Sequence, residues 1–86
     1  MIDEKLIQML RCPIDGSELA LADQLLVRRV NEGIRRGEVR DRHDQKVTQP
    51  LDEGLVSAAS NRLYAVRGGI PTLIADEAIE LNQLME

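Results

Sequence analysis

Cys12-Pro13-Ile14-Asp15-Gly16 and Ser57-Ala58-Ala59-Ser60 have the spacing of two metal-binding knuckles, yet Cys12 alone among the four ligand positions is a cysteine. A structural tetrahedral zinc site takes four thiolate or imidazole ligands, and serine hydroxyls are poor donors at neutral pH. The pattern keeps the turns of such a site and drops most of its donors. Ordinary packing and hydrogen bonding are then left to hold the fold.

The other reactive side chains form no catalytic set. A nucleophilic Cys12 would need a base or another thiolate-stabilising neighbour, and the sole histidine, His43, stands 31 positions away in a polar stretch between Arg42 and Asp44. Cys12 reads as a small buried residue and His43 as a solvated turn residue. Asp76 and Glu77 could pair for acid–base work, but at the start of a helical pattern they read as N-terminal capping charge. Gly68-Gly69 lacks the strand, helix and lysine that a phosphate-binding loop needs. Enzymatic activity and a cofactor are therefore not expected.

Arg28, Arg29, Arg35 and Arg36 could contact phosphates. They open a stretch, from Arg28 to Lys46, with seven basic and four acidic residues, a local excess of +3 in a chain of net charge −4. The chain has no Phe or Trp to stack on bases, so a solvated helix face is expected and any nucleic-acid contact is expected to be indirect.

These residues need elements to carry them. Asp3 can cap a short amphipathic helix bearing Leu6, Ile7 and Leu10, which Pro13 stops. Pro13, Asp15 and Gly16 make a turn, and Ser17 to Leu21 alternates as a strand with Leu19 and Leu21 inward. Asp23 can cap a second helix with Leu26, Val27, Val30 and Ile34 on one stripe, ending near Gly37. Val39 to Arg42 and Lys46 to Thr48 suggest a small hairpin or irregular excursion. Leu55 to Ser57 and Arg62 to Val66 form another hairpin, Ile70 to Ala75 a further strand, and Asp76 to Met85 has helical spacing.

With 86 residues, 43% of them hydrophobic, the chain is expected to fold as one domain, residues 1–86, with an almost wholly aliphatic core. One cysteine cannot form an internal disulfide, and neither a leader pattern nor a run of roughly 20 apolar residues is present. A cytoplasmic location away from membranes is the default expectation.

The order of motifs is that of a known family: an apolar N-terminal helix, Cys12-Pro13-Ile14-Asp15-Gly16, Leu19, a second knuckle with Ser57 and Ser60, Tyr64, and Arg67-Gly68-Gly69-Ile70-Pro71-Thr72-Leu73-Ile74-Ala75-Asp76-Glu77-Ala78. Over roughly residues 4 to 78 the chain resembles the small methyltransferase-activator zinc-ribbon family (Trm-type activators), including its short bacterial YcaR-like branch, with 22–52 as a variable helical or extended insert. The resemblance implies an α+β fold, a small antiparallel sheet of degenerate zinc-ribbon type with an N-terminal and an inserted helix. It places the family's zinc ligands at Cys12, Asp15, Ser57 and Ser60, three of which depart from the pattern. Asp15, Ser57 and Ser60 then either bond backbone amides and one another or stand exposed as turn residues.

The resemblance also implies a non-catalytic module that stabilises or activates a partner enzyme, an S-adenosylmethionine-dependent methyltransferase. A stand-alone RNA- or ribosome-associated protein using residues 28–46 is the alternative, and a homodimer is a third possibility. Pro71 favours an edge position for its strand, which makes Ile70, Pro71 and Leu73 the candidate partner-binding residues. The same segment could equally be a core strand whose proline discourages pairing.

Overall fold

The computed structural model describes residues 3–57, 59 and 61–84. Ser60 and Met85, both named above, lie outside the described residues. The first helix, α1 (Glu4–Met9), starts where the Asp3 side chain accepts a hydrogen bond from the Lys5 amide at 2.8 Å, and ends as Leu10 turns extended. Ile7 is its buried residue. A short strand, β1 (Ala20–Leu21), leads to α2 (Gln24–Arg35), whose Asp23 cap accepts from the Leu26 amide at 2.8 Å.

Gly37 ends α2 as expected. It sits at φ +73°, and Gly37 N–H to Ile34 C=O (3.0 Å) with Glu38 N–H to Gly33 C=O (2.9 Å) close a Schellman motif. The chain then makes a tight excursion. Arg40 and Lys46 pair across it, Val47 N–H reaches Val39 C=O at 2.9 Å, and Asp44 takes the turn position at φ +59°.

Strands β2 (Glu53–Ser57), β3 (Arg62–Arg67), β4 (Ile70–Pro71) and β5 (Ile79–Glu80) complete an antiparallel sheet. Its order is β1-β2-β3-β4, with β5 also beside β3. The β2–β3 register pairs Leu55 with Tyr64 and Ser57 with Arg62. Successive side chains on a strand point to opposite faces. Tyr64 and Val66 therefore join Leu55, Ile7, Cys12, Leu19 and Ala78 on one face of the sheet. Leu63 and Ala65 join Val30, Ile34, Val39, Leu51, Ile79 and Leu81 on the other. The inserted helix supplies Val30 and Ile34 to the second core, with Leu26 and Val27 packed at its margin.

Three expectations need correction. Leu21 is 43% exposed, because regular pairing starts only at Ala20 and the strand is two residues long at the sheet edge. Leu21 instead lines a groove of about 310 Å³ with Val27, Arg28 and Leu51. The strand expected over Ile70 to Ala75 stops at Pro71, with one further bond from Thr72 N–H to Ala65 C=O; the chain then leaves the sheet, Leu73 packs on the first core, and a 3-10 turn follows at Ala75–Glu77.

The helix expected from Asp76 is replaced by that turn, by β5 and by a second 3-10 turn, Leu81–Leu84. Ile79 is buried between β3 and the excursion: Leu63 pairs with it on one side and Asp41 on the other. Sheet pairing on two sides outweighs the weak propensity of a short helix.

Candidate functional site

The first knuckle is a tight turn whose two ends both touch the sheet. Gly16 N–H bonds Cys12 C=O at 2.8 Å, Cys12 N–H bonds Ser17 C=O at 2.9 Å, and Gly16 takes φ +74°. Asp15 Oδ1 accepts from the Ser17 amide at 2.9 Å, an Asx turn that stiffens the loop. At one end Cys12, 2% exposed, lies with its Sγ 2.8 Å from the Tyr64 hydroxyl. At the other, Ser17 Oγ lies 2.6 Å from Ser57 Oγ, and Ser57 is fully buried at the end of β2.

The structure thus brings Cys12 and Ser57 to the same face of the sheet, through partners whose role the sequence analysis did not assign: Tyr64, a motif residue, and Ser17. The signals pointing to Tyr64 were its place in the motif order and its being the sole aromatic residue of the chain. Burial pushes the Tyr64 phenol far above its ordinary value of 10.0, and the bond with Cys12 adds to the shift. Among the described residues no three His, Cys, Asp or Glu side chains cluster to hold a metal ion.

The partner-binding candidates sit at the outer edge of β4, the last strand in the sheet order. Ile70 is 71% exposed and Pro71 partly covered, whereas Leu73 leans on the first core. Ile74 beside it is 52% exposed. On α1, whose Ile7 packs on that same core together with Leu10 just past the helix end, Met9 and Leu6 are exposed as well.

The basic segment is largely engaged with its own acids. Arg35 and Arg36 share Glu32, and the Arg35 guanidinium holds that carboxyl below its usual range. Arg40 lies 3.9 Å from Asp44, and Arg42 (3.3 Å) meets Arg62 (2.8 Å) at Glu80. Arg28 and Arg29 are exposed on α2. His43 is exposed in the excursion, where its amide bonds Asp41 Oδ1. Asp76 and Glu77 are exposed in the first 3-10 turn.

Comparison with known proteins agrees with this architecture. The solution NMR structure of a Xylella fastidiosa protein superposes with a TM-score of 0.76 at 26% sequence identity, covering 96% of this chain and 86% of that one. No curated protein matches significantly. The family model described as Trm112p-like protein matches residues 3–69. The chain therefore belongs to the Trm112p-like family, one of small non-catalytic partner modules.

Proposed function

We propose that this chain is a cytoplasmic, non-catalytic module that binds and stabilises or activates a larger enzyme, an S-adenosylmethionine-dependent methyltransferase. Family membership supports a protein partner. The observation that carries the reading is the exposed apolar margin at β4, where Ile70 at 71% exposure and Ile74 at 52% flank a segment anchored in the core by Leu73. A sheet edge offers backbone groups to a second chain, and adjacent apolar side chains add selectivity. Binding only the folded module would stabilise it by mass action.

The geometry does not favour direct RNA binding. Four of the seven basic residues of this segment, Arg35, Arg36, Arg40 and Arg42, face carboxylates of this same chain, which reduces the positive charge available to displace counterions from phosphates. No helix among the described residues is long and apolar enough to cross a membrane.

Affinity purification from the native host at high salt, read by mass spectrometry, tests the proposal. A methyltransferase should co-purify with the wild-type chain and be lost with Ile70→Asp, whose melting temperature should match wild type because the side chain lies outside both cores. Absence of any methyltransferase above background, or its retention by Ile70→Asp, would count against it.

A further inference from the structure

We propose that two hydrogen-bonded pairs, Cys12 with Tyr64 and Ser17 with Ser57, staple the first turn to the sheet in place of a metal ion, so that this chain folds and presents its partner surface without zinc. The donor set argues against zinc on chemical grounds. A zinc-bound cysteine is a thiolate with a Zn–S distance of about 2.3 Å. The Cys12 sulfur is instead committed at 2.8 Å to a phenol buried beside it. Ser57 is committed at 2.6 Å to another hydroxyl, and the Asp15 carboxylate is turned to its own loop's amide. A single thiol, a carboxylate and serine hydroxyls do not make a structural zinc site.

The two pairs reproduce the mechanical role of such an ion. Cys12 and Ser17 are the closing residues of one tight turn, joined by a backbone bond of 2.9 Å. One reaches β3 across 52 positions of sequence and the other reaches β2 across 40. Together they pin one loop to two neighbouring strands, as a metal ion bridging two knuckles would. The Cys12–Tyr64 pair is shielded from water, both residues being at most 2% exposed, and in the second pair Ser57 is fully buried while Ser17 is partly covered. The buried Cys12–Tyr64 bond is not exchanged freely for one to solvent, so removing the phenol oxygen or the thiol costs stability. Cys12 and Ile14 of the pinned turn lie in the same core as Ile7 of α1 and as Leu73, which follows β4.

The test uses the isolated full chain, so it is independent of whether a methyltransferase is the partner. Wild-type protein refolded from denaturant in excess EDTA should recover its far-ultraviolet circular dichroism. Its melting temperature should be unchanged by EDTA or added zinc, and metal analysis should find zinc far below one equivalent. Tyr64→Phe, which keeps the ring, and Ser17→Ala should each lower the melting temperature by about 5 °C in the absence of metal. Unfolding by EDTA, near-stoichiometric zinc, or melting temperatures of both variants equal to wild type would each overturn the inference. The EDTA and metal measurements on wild type decide it even if a variant fails to fold.

Discussion

Raising the pH above 10 sets the Tyr64 phenol against the fold. In the unfolded chain the phenol ionises at its ordinary value of 10.0, whereas in the folded chain burial, reinforced by Cys12, keeps it protonated well beyond that. Below 10 both states hold the proton and the fold has its full stability. Above 10 only the unfolded state releases it, so stability falls by about 1.36 kcal/mol per pH unit until the folded phenol also ionises. Two units above 10 the loss is about 2.7 kcal/mol, a substantial part of the roughly 4–13 kcal/mol expected of a chain of 86 residues. Tyr64 is the sole tyrosine and the chain has no tryptophan, so near-ultraviolet tyrosinate absorbance reports this one group. Absorbance and far-ultraviolet circular dichroism, followed together in an alkaline titration, should change in a single cooperative transition. Tyr64→Phe retains every lysine and Cys12, so its shallower decline of stability with pH isolates the phenol. A broad tyrosinate titration centred near 10.0, with circular dichroism unchanged through it, would refute the reasoning.

Two further substitutions probe the scaffold. A Cβ on Gly54 would stand 2.9 Å from Leu63 Cδ1 and 3.2 Å from its Cγ, and Leu63 is fully buried in the second core and cannot swing into solvent. Gly54→Ala should cost about 1–3 kcal/mol in denaturant unfolding; an unchanged midpoint would mean that core is loosely packed. Asp23→Ala should cost about 1 kcal/mol by removing the cap of α2, while Asp23→Asn, which preserves an acceptor for the Leu26 amide, should cost much less. Equal losses from the two would show that charge matters there, not the hydrogen bond.

The parts of the fold legible in the sequence are those written in local chemistry. Asp3 and Asp23 are side-chain caps, Gly37 supplies a positive φ, and Pro13 with Gly16 makes the knuckle turn; each acts within a few residues of itself. The β2–β3 hairpin was legible because its alternating residues flank a short connection. What escaped was decided by distant neighbours. Leu81 and Leu84 keep helical spacing, yet Ile79 is claimed by Leu63 and Asp41, 16 and 38 positions away in sequence, and no periodicity encodes that choice. The same holds for the candidate site. Cys12 and Ser57 could be singled out from knuckle spacing, whereas Tyr64 and Ser17 became their partners only once β2 and β3 were laid side by side.

The insert shows how local charge is taken up within the fold. Its basic residues look like a phosphate-binding stripe in sequence, but the excursion folds back against the C-terminal segment and turns several of them into structural contacts. Arg42 N–H bonds Ala78 C=O, His43 N–H bonds Asp76 C=O, and the Gln83 side chain bonds both the amide and the carbonyl of Arg40. Glu80 then accepts Arg42 from the insert and Arg62 from β3, tying the two across β5. The insert thereby covers the outer side of β5. An uncovered edge strand invites unwanted pairing, and here the exposed edge at β4 is two residues long and carries a proline. A partner that adds there has little uniform ladder to grip and must recognise Ile70 and Ile74 through their side chains, which favours a selective binding surface over a generally adhesive one.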